Sequence, residues 1–348
     1  MKKTRNVLQL TRVQKAKSLK SLNANNIYID LSTKPSENPL NCLRFADVSF
    51  DRSSHTVSYK FFDIHSITKV SESGYTEDQE KKTNQDNYFG VKHEDSRCCF
   101  IGVCDGHGPK GHVVSKYVVN HIETNSQVLF TNNINIRDEM KTLMEGTQQS
   151  LIQNKKNIIK QSGTTLTAAL ILRETVYLIN VGDSKTMLVY EDNPPVSTTL
   201  HSLESKEERK FIDLSKAEVT RLKNESGKEM GPLRLFQKGG TGPGLMMSRS
   251  LGDSIGHDLG MSVEPEVIEI KCKGNEKYLI IASDGLWDKV TDNDVISIVD
   301  KYYAKIGGEQ NVDLNECCQE LLVKAEDNWR ADEDVVDDIT IIVVFFKK

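Results

Sequence analysis

Apolar positions along the chain fall into two rhythms. From about Val57 onward, short β-branched runs recur between polar stretches, at 99–104, 167–172, 176–181, 278–282 and 339–346. Runs this short, bounded by polar residues, predict buried strands. Those at 167–172 and 176–181, joined by Arg173-Glu-Thr175, predict a hairpin. The second rhythm repeats every three to four residues, over 113–122, 138–159 and 314–329, and predicts helices. In the last of these, Leu314, Cys317, Cys318, Leu321, Leu322 and Ala325 share one face. Residues 184–245 follow neither rhythm. They are polar, contain Pro194-Pro195 and the cluster from Gly239 to Gly244, and predict an exposed insertion. No internal repeat is present.

The pattern divides the chain into an extension over 1–56 and a folded domain over 57–348, with a variable segment within 184–247. The first twenty residues carry Lys2, Lys3, Arg5, Arg12, Lys15, Lys17 and Lys20 and no acid; the first carboxylate is Asp30. No apolar stretch follows these charges, which excludes a secretory signal. A mitochondrial presequence, a basic arm for anionic partners and a solvated tail remain open. Residues 21–55, rich in Asn, Ser and Pro, predict an irregular extension.

Composition narrows the function classes. The 348 residues carry 45 basic and 50 acidic side chains, a net charge of −5, which argues against a basic nucleic-acid binder. No apolar run approaches the ~18 residues of a membrane span. Seven cysteines, an odd number, include the adjacent pairs Cys98-Cys99 and Cys317-Cys318 and no C-x-x-C. This predicts free thiols in a reducing compartment, cytoplasmic or nuclear, rather than a zinc site or disulfide scaffold.

Candidate chemistry gathers where the predicted strands end. Asp105 follows the run 99–104, Asp183 follows 176–181, Asp284 follows 278–282, Asp337-Asp338 opens 339–346, and Asn84-Gln-Asp86 opens 87–91. A buried carboxylate needs a partner. Few basic residues flank these acids, so a cation is the expected partner, and oxygen-only ligation suits Mg²⁺, Mn²⁺ or Ca²⁺ rather than zinc. In Asp105-Gly-His-Gly108 a tight turn would set a carboxylate, the Gly106 carbonyl and the His107 imidazole around one point. His107 is then a candidate to deliver a proton near neutral pH. Two other motifs lead nowhere. Gly252-Asp-Ser-Ile-Gly256 matches the serine-hydrolase elbow, but the last histidine, His257, lies three residues after Ser254 and follows no later acid. The glycines at 106 and 111 are followed by His112, so a nucleotide-binding P-loop is absent.

Eight blocks, in order, resemble the metal-dependent protein serine/threonine phosphatases of the 2C type. They are Asn84-Gln-Asp-Asn87, Phe100-Ile-Gly-Val-Cys-Asp-Gly-His-Gly108, Ser162-Gly-Thr-Thr165, Asn180-Val-Gly-Asp-Ser184, Gly244-Leu-Met-Met-Ser-Arg-Ser-Leu-Gly-Asp253, Glu264-Pro-Glu266, Ala282-Ser-Asp-Gly-Leu-Trp-Asp288 and Asp337-Asp-Ile-Thr340. The resemblance implies an α+β fold, a four-layer α-β-β-α sandwich of two antiparallel sheets flanked by helices. It implies two Mg²⁺ or Mn²⁺ ions sharing a bridging hydroxide, with phosphoserine and phosphothreonine proteins as substrates of a monomeric enzyme. By the same resemblance Asp105 bridges both ions, Asp284 and Asp337 complete one site, and Asp86 with the Gly106 carbonyl contributes to the other, partly through water. Asp183 and Asp288 match acids that hold a weaker third ion, and His107 matches the general acid. Lys81 stands about where many members have a phosphate-binding arginine, with Lys82 beside it as a substitute. Gln85 replaces a usual glutamate, and Asp338 a usual asparagine. The rival expectation is a catalytically weak or inactive domain of this fold that acts as a phosphoprotein-binding or scaffold module.

Overall fold

The computed structural model describes residues 43–44, 64–93, 98–240, 242–306, 308 and 313–347. Apart from 43–44, the expectations for the extension 1–56 and for Val57 lie outside the described residues. Strand β1 (Leu43–Arg44) is followed by β2 (Ile64–Glu72), β3 (Asn87–Lys92), β4 (Cys98–Cys104) and the two-residue β5 (Gly106–His107). Helices α1 (Gly111–Asn125) and α2 (Ile136–Lys155) lead to β6 (Gly163–Thr164), β7 (Leu166–Leu172), β8 (Thr175–Val181), β9 (Lys185–Tyr190) and β10 (Val196–Ser197). Then come α3 (Lys206–Arg209), β11 (Ala217–Lys223), β12 (Glu229–Gln237), β13 (Pro243–Leu245), β14 (Leu251–Gly252), α4 (Ser254–Asp258), β15 (Glu266–Lys271) and β16 (Glu276–Ala282). Helices α5 (Asp284–Trp287), α6 (Asp292–Tyr303) and α7 (Asn315–Asp332) precede β17 (Ile339–Phe346).

Two antiparallel sheets form the centre, one in the order β1-β3-β4-β7-β8-β15 and one in the order β10-β9-β16-β17-β2. Strand periodicity sorts their side chains into layers. Cys99, Ile101 and Val103 of β4 meet Leu279 and Ile281 of β16 and Ile342 and Val344 of β17 in the core between the sheets. Phe100 and Cys104, on the opposite face of β4, pack with Val114, Val118 and Ile122 of α1 and Met140 of α2. Tyr278 and Ile280 of β16 and Ile341, Val343 and Phe345 of β17 pack under α6 and α7. All eight residues of β17 are buried because both of its faces are covered. This is the four-layer α-β-β-α sandwich expected from the sequence.

The hairpin is tighter than the sequence suggested. Leu172 pairs with Thr175, so the loop is Arg173-Glu174 alone, with Arg173 at φ 45°. The predicted face of α7 is buried as expected. Two expectations need correcting. The segment 184–245 is not wholly an exposed insertion: β9 pairs with β16, and Met187 and Leu188 are fully buried. Its apolar stretch is flanked by polar residues on both sides and was hidden by them. Strand β10 joins the same sheet beside β9, and only the later part stands apart, as a sheet of β11-β12-β13 over a small core that includes Leu203, Ile212, Leu235, Met247 and Met261. Helix α6 was not anticipated, although Thr291 accepts a hydrogen bond from the Asp294 amide as its N-cap, and Val295, Ile298, Val299 and Tyr302 keep helical spacing.

Candidate active site

Antiparallel pairing decides where the acids go. The ends of β4, β8 and β16 and the starts of β3 and β17 lie at one end of the sandwich, because Asn87 pairs with Cys104, Leu166 with Val181 and Ala282 with Ile341. The residues just beyond these strand ends, Asp105, Asp183, Asp284 and Asp337, therefore meet. They line one cleft of about 560 Å³, together with Gly106, His107, Gln85, Lys82, Lys110, Met246 and Met247. Asp86 does not line the cleft. It is buried at 6% exposure, with Oδ2 accepting from Ser283 Oγ at 2.8 Å. Asp288 also lies outside the lining.

The electrostatics of the cleft are those of acids short of positive charge. Asp105 and Asp284 both sit among other acids. Burial, and then neighbouring acids, push both well above the usual carboxylate range. Burial raises Asp86 to about 7 and Asp288 to about 6, and it also raises Asp183. Asp86 Oδ1 and Asp183 Oδ1 are buried and have no hydrogen-bond partner among the described residues. Two orphaned carboxylate oxygens, and several acids gathered with little positive charge, fit hard divalent cations as the missing partners. Among the described residues no three His, Cys, Asp or Glu side chains close into a finished ligand cage. The acids line one cleft, but their side chains are not drawn to a common point. Gly106 tolerates no side chain, since a Cβ would lie 2.6 Å from the Gln85 carbonyl oxygen.

His107 is held from behind. Its Nε2 lies 2.5 Å from Oδ2 of Asp253, whose side chain is only 1% exposed. Burial works against the imidazolium, but the Asp253 charge and hydrogen bond outweigh it and raise the His107 pKa. Asp253 falls within the quoted family blocks, yet the sequence assigned it no role. Ser254 has no histidine to activate it: His257 contacts the Met261 and Ser250 carbonyls.

Four other residues singled out in the sequence, Lys81, Lys82, Asp338 and Gln85, take distinct places. Lys81 does not reach the cleft; it is exposed and paired with Glu72 at 2.8 Å. Lys82 lines the cleft, with Nζ 3.0 Å from Asp337 Oδ1. Asp338 accepts the backbone amides of Gly74 at 2.7 Å and Gln85 at 2.8 Å, and so clasps the loop before β3. Gln85 turns its Nε2 to the Gly108 carbonyl at 2.9 Å. A network that joins the variable segment to Arg249 was also missed. Glu208 accepts from Arg249 at 2.7 Å, and His201 Nδ1 accepts the Gly182 amide at 3.0 Å. Burial, and then Arg249, push His201 down to about 4, so it stays neutral beside the turn that carries Asp183.

The sequence profile described as Protein phosphatase 2C matches residues 63–333. The chain belongs to the protein phosphatase 2C family. Among curated family members, it is 27% identical over 327 residues to the probable protein phosphatase 2C 35 of Arabidopsis thaliana, covering 85% of this chain and 87% of that one. It is 29% identical over 289 residues to the probable protein phosphatase 2C 72 of the same plant, covering 77% and 82%. The 2C fold recurs in solved structures. The serine-threonine phosphatase 2C from Toxoplasma gondii aligns with a TM-score of 0.65 at 19% identity, over 84% of this chain and 96% of that one. The catalytic domain of the phosphatase PstP, solved with two manganese ions, aligns with a TM-score of 0.52 at 16% identity, over 83% and 99%.

Proposed function

We propose that the cleft hydrolyses phosphoserine and phosphothreonine on proteins, using two divalent cations, Mg²⁺ or Mn²⁺, held by Asp105, Asp284, Asp337, Asp86 and the Gly106 carbonyl. Asp183 and Asp288 are the candidates for a third, weaker ion. The observation that carries this proposal is the convergence of four acids from separate strand ends on the cleft that also presents His107. The unsatisfied oxygens of Asp86 and Asp183 support it, as does the similarity to a catalytic domain solved with two manganese ions. When bound, such ions supply a hydroxide nucleophile at neutral pH and neutralise charge growing on the phosphoryl group. The protein's own residues do the rest. Lys82 adds positive charge at the cleft wall, as a point charge without the two-pronged grip of arginine. His107 donates a proton to the departing serine or threonine oxygen. Met246 and Met247 bring the variable segment to the cleft edge, where it meets the protein around the phosphorylated residue. No helix among the described residues is long and apolar enough to cross a membrane.

The test is hydrolysis of p-nitrophenyl phosphate and of a phosphothreonine peptide, in EDTA and after Mn²⁺ or Mg²⁺ is added back. Activity is expected to vanish with chelation and return with either ion. Asp105→Asn is expected to lose more than the ~100-fold typical of outer-shell metal partners, with its circular dichroism unchanged. A folded wild type that is inactive with both ions, yet retains a phosphopeptide, would favour the scaffold-module alternative.

A further inference from the structure

We propose that Asp253 is the positioning residue for His107, fixing the ring through Nε2 so that Nδ1 is the nitrogen that serves the leaving oxygen. This rests on the phosphatase function proposed above. An imidazole has two nitrogens on opposite edges, and Nε2 is already committed, 2.5 Å from a carboxylate that is 1% exposed. The neutral ring carries its hydrogen on Nε2, facing Asp253, and the Nδ1 edge is left for the cleft.

The surrounding fold is built around this pair. A separate three-stranded sheet, β14-β6-β5, sets Gly252 opposite Gly163 on one side and Gly163 opposite His107 on the other. Residues 146 positions apart in the chain thereby become neighbours. Gly163 between them must lack a side chain: a Cβ there would fall 2.0 Å from Asp253 Oδ2 and 2.7 Å from His107 Nε2. Asp253 itself sits at φ 34°, a left-handed conformation that costs a non-glycine residue energy. That conformation is enforced. The Gln148 side chain grips Gly252 with two 2.8 Å bonds, one to its carbonyl and one from its amide. The Asp253 amide donates to the Ser162 carbonyl at 3.1 Å, and Ser250 Oγ donates to Oδ2 at 2.6 Å. Strain held in place next to a cleft is the signature of a residue kept for its geometry.

The proton balance follows. With both ring nitrogens protonated, His107 gives the Nδ1 hydrogen to the serine or threonine oxygen as the P–O bond breaks and its electron pair stays with that oxygen. The ring is left neutral, with Nε2–H still on Asp253, and a water proton restores Nδ1–H before the next turnover.

Two measurements test this. In the metal-free full chain with ¹⁵N-labelled histidine, the neutral His107 ring is expected to show a protonated Nε2 and a bare Nδ1. The opposite tautomer overturns the proposal, and this spectrum needs no variant. In the Mn²⁺-loaded enzyme, Asp253→Asn is expected to lower kcat on a phosphothreonine peptide by about 10- to 100-fold with KM little changed, the scale of orienting partners of a histidine. The loss on p-nitrophenyl phosphate, whose leaving group needs little protonation, is expected to be smaller. In a His107→Ala background, Asp253→Asn should cost nothing further. Additive losses, or equal losses on both substrates, would mean a structural strap and overturn the positioning role. A wild type inactive on both substrates would instead overturn the phosphatase function, while the tautomer still reports on the pair.

Discussion

At the scale of single residues, neighbours in sequence part company in space. Lys81 and Lys82 are adjacent, but their side chains part. One ends on Glu72 in solvent and the other in the cleft on Asp337. Lys82→Ala is therefore expected to raise KM for a phosphopeptide about tenfold or more, on the scale of a lost charge-assisted contact. Lys81→Ala should leave steady-state parameters within about twofold, since exposed pairs contribute little. The reverse ranking would show that the phosphate is held from the other side. The acids themselves were legible in the sequence, because a carboxylate directly after a β-branched run marks a strand end. Asp253 had no such signal: its partner is remote in the chain, and its buried setting depends on glycines and a glutamine that look ordinary in sequence. The choice between Lys81 and Lys82 hung on a side-chain direction, which charge patterning does not encode.

At the scale of elements, strands were easier to read than helices. The runs at β4, β7, β8, β16 and β17 are mostly apolar because both sheet faces are covered. Strand β9 has the same character but opens the polar segment, and its neighbours masked it. Helix α6 escaped because its first turn, Asp292-Asn-Asp294, looks like loop composition; in the structure these acids follow an N-cap and favour the helix start. Thr291→Ala is expected to remove that cap and cost about 1 kcal/mol, read as a lower urea midpoint with an unchanged m-value. No shift in the midpoint would mean that packing of Val295, Val299 and Tyr303 alone holds the helix.

At the scale of the whole molecule, the site and the stability of the fold pull against each other. Asp86 goes from an ordinary carboxylate value near 3.8 when unfolded to about 7 when folded. The folded chain then binds more protons than the unfolded one between those values, so its stability falls as pH rises across that interval. In EDTA, Tm is expected to decline from about pH 5 to pH 7. Saturating Mn²⁺ should raise Tm and flatten or reverse the slope, because a ligand that binds only the folded state stabilises it. A Tm in EDTA that rises over this range would show that the buried acids are already compensated.

The pairing of β17 with β2 carries one more consequence, for a chain made from one end to the other. β17 lies between β16 and β2, and the paired residues Glu72 and Ile339 stand roughly 270 positions apart, so closing that gap is a slow, late event. Asp337 is carried on the segment that arrives with β17. On a translating ribosome, the five-stranded sheet stays open and the cleft lacks one of its acids until synthesis has passed residue 346. The proposed site would therefore be incomplete in any chain that has not yet added β17.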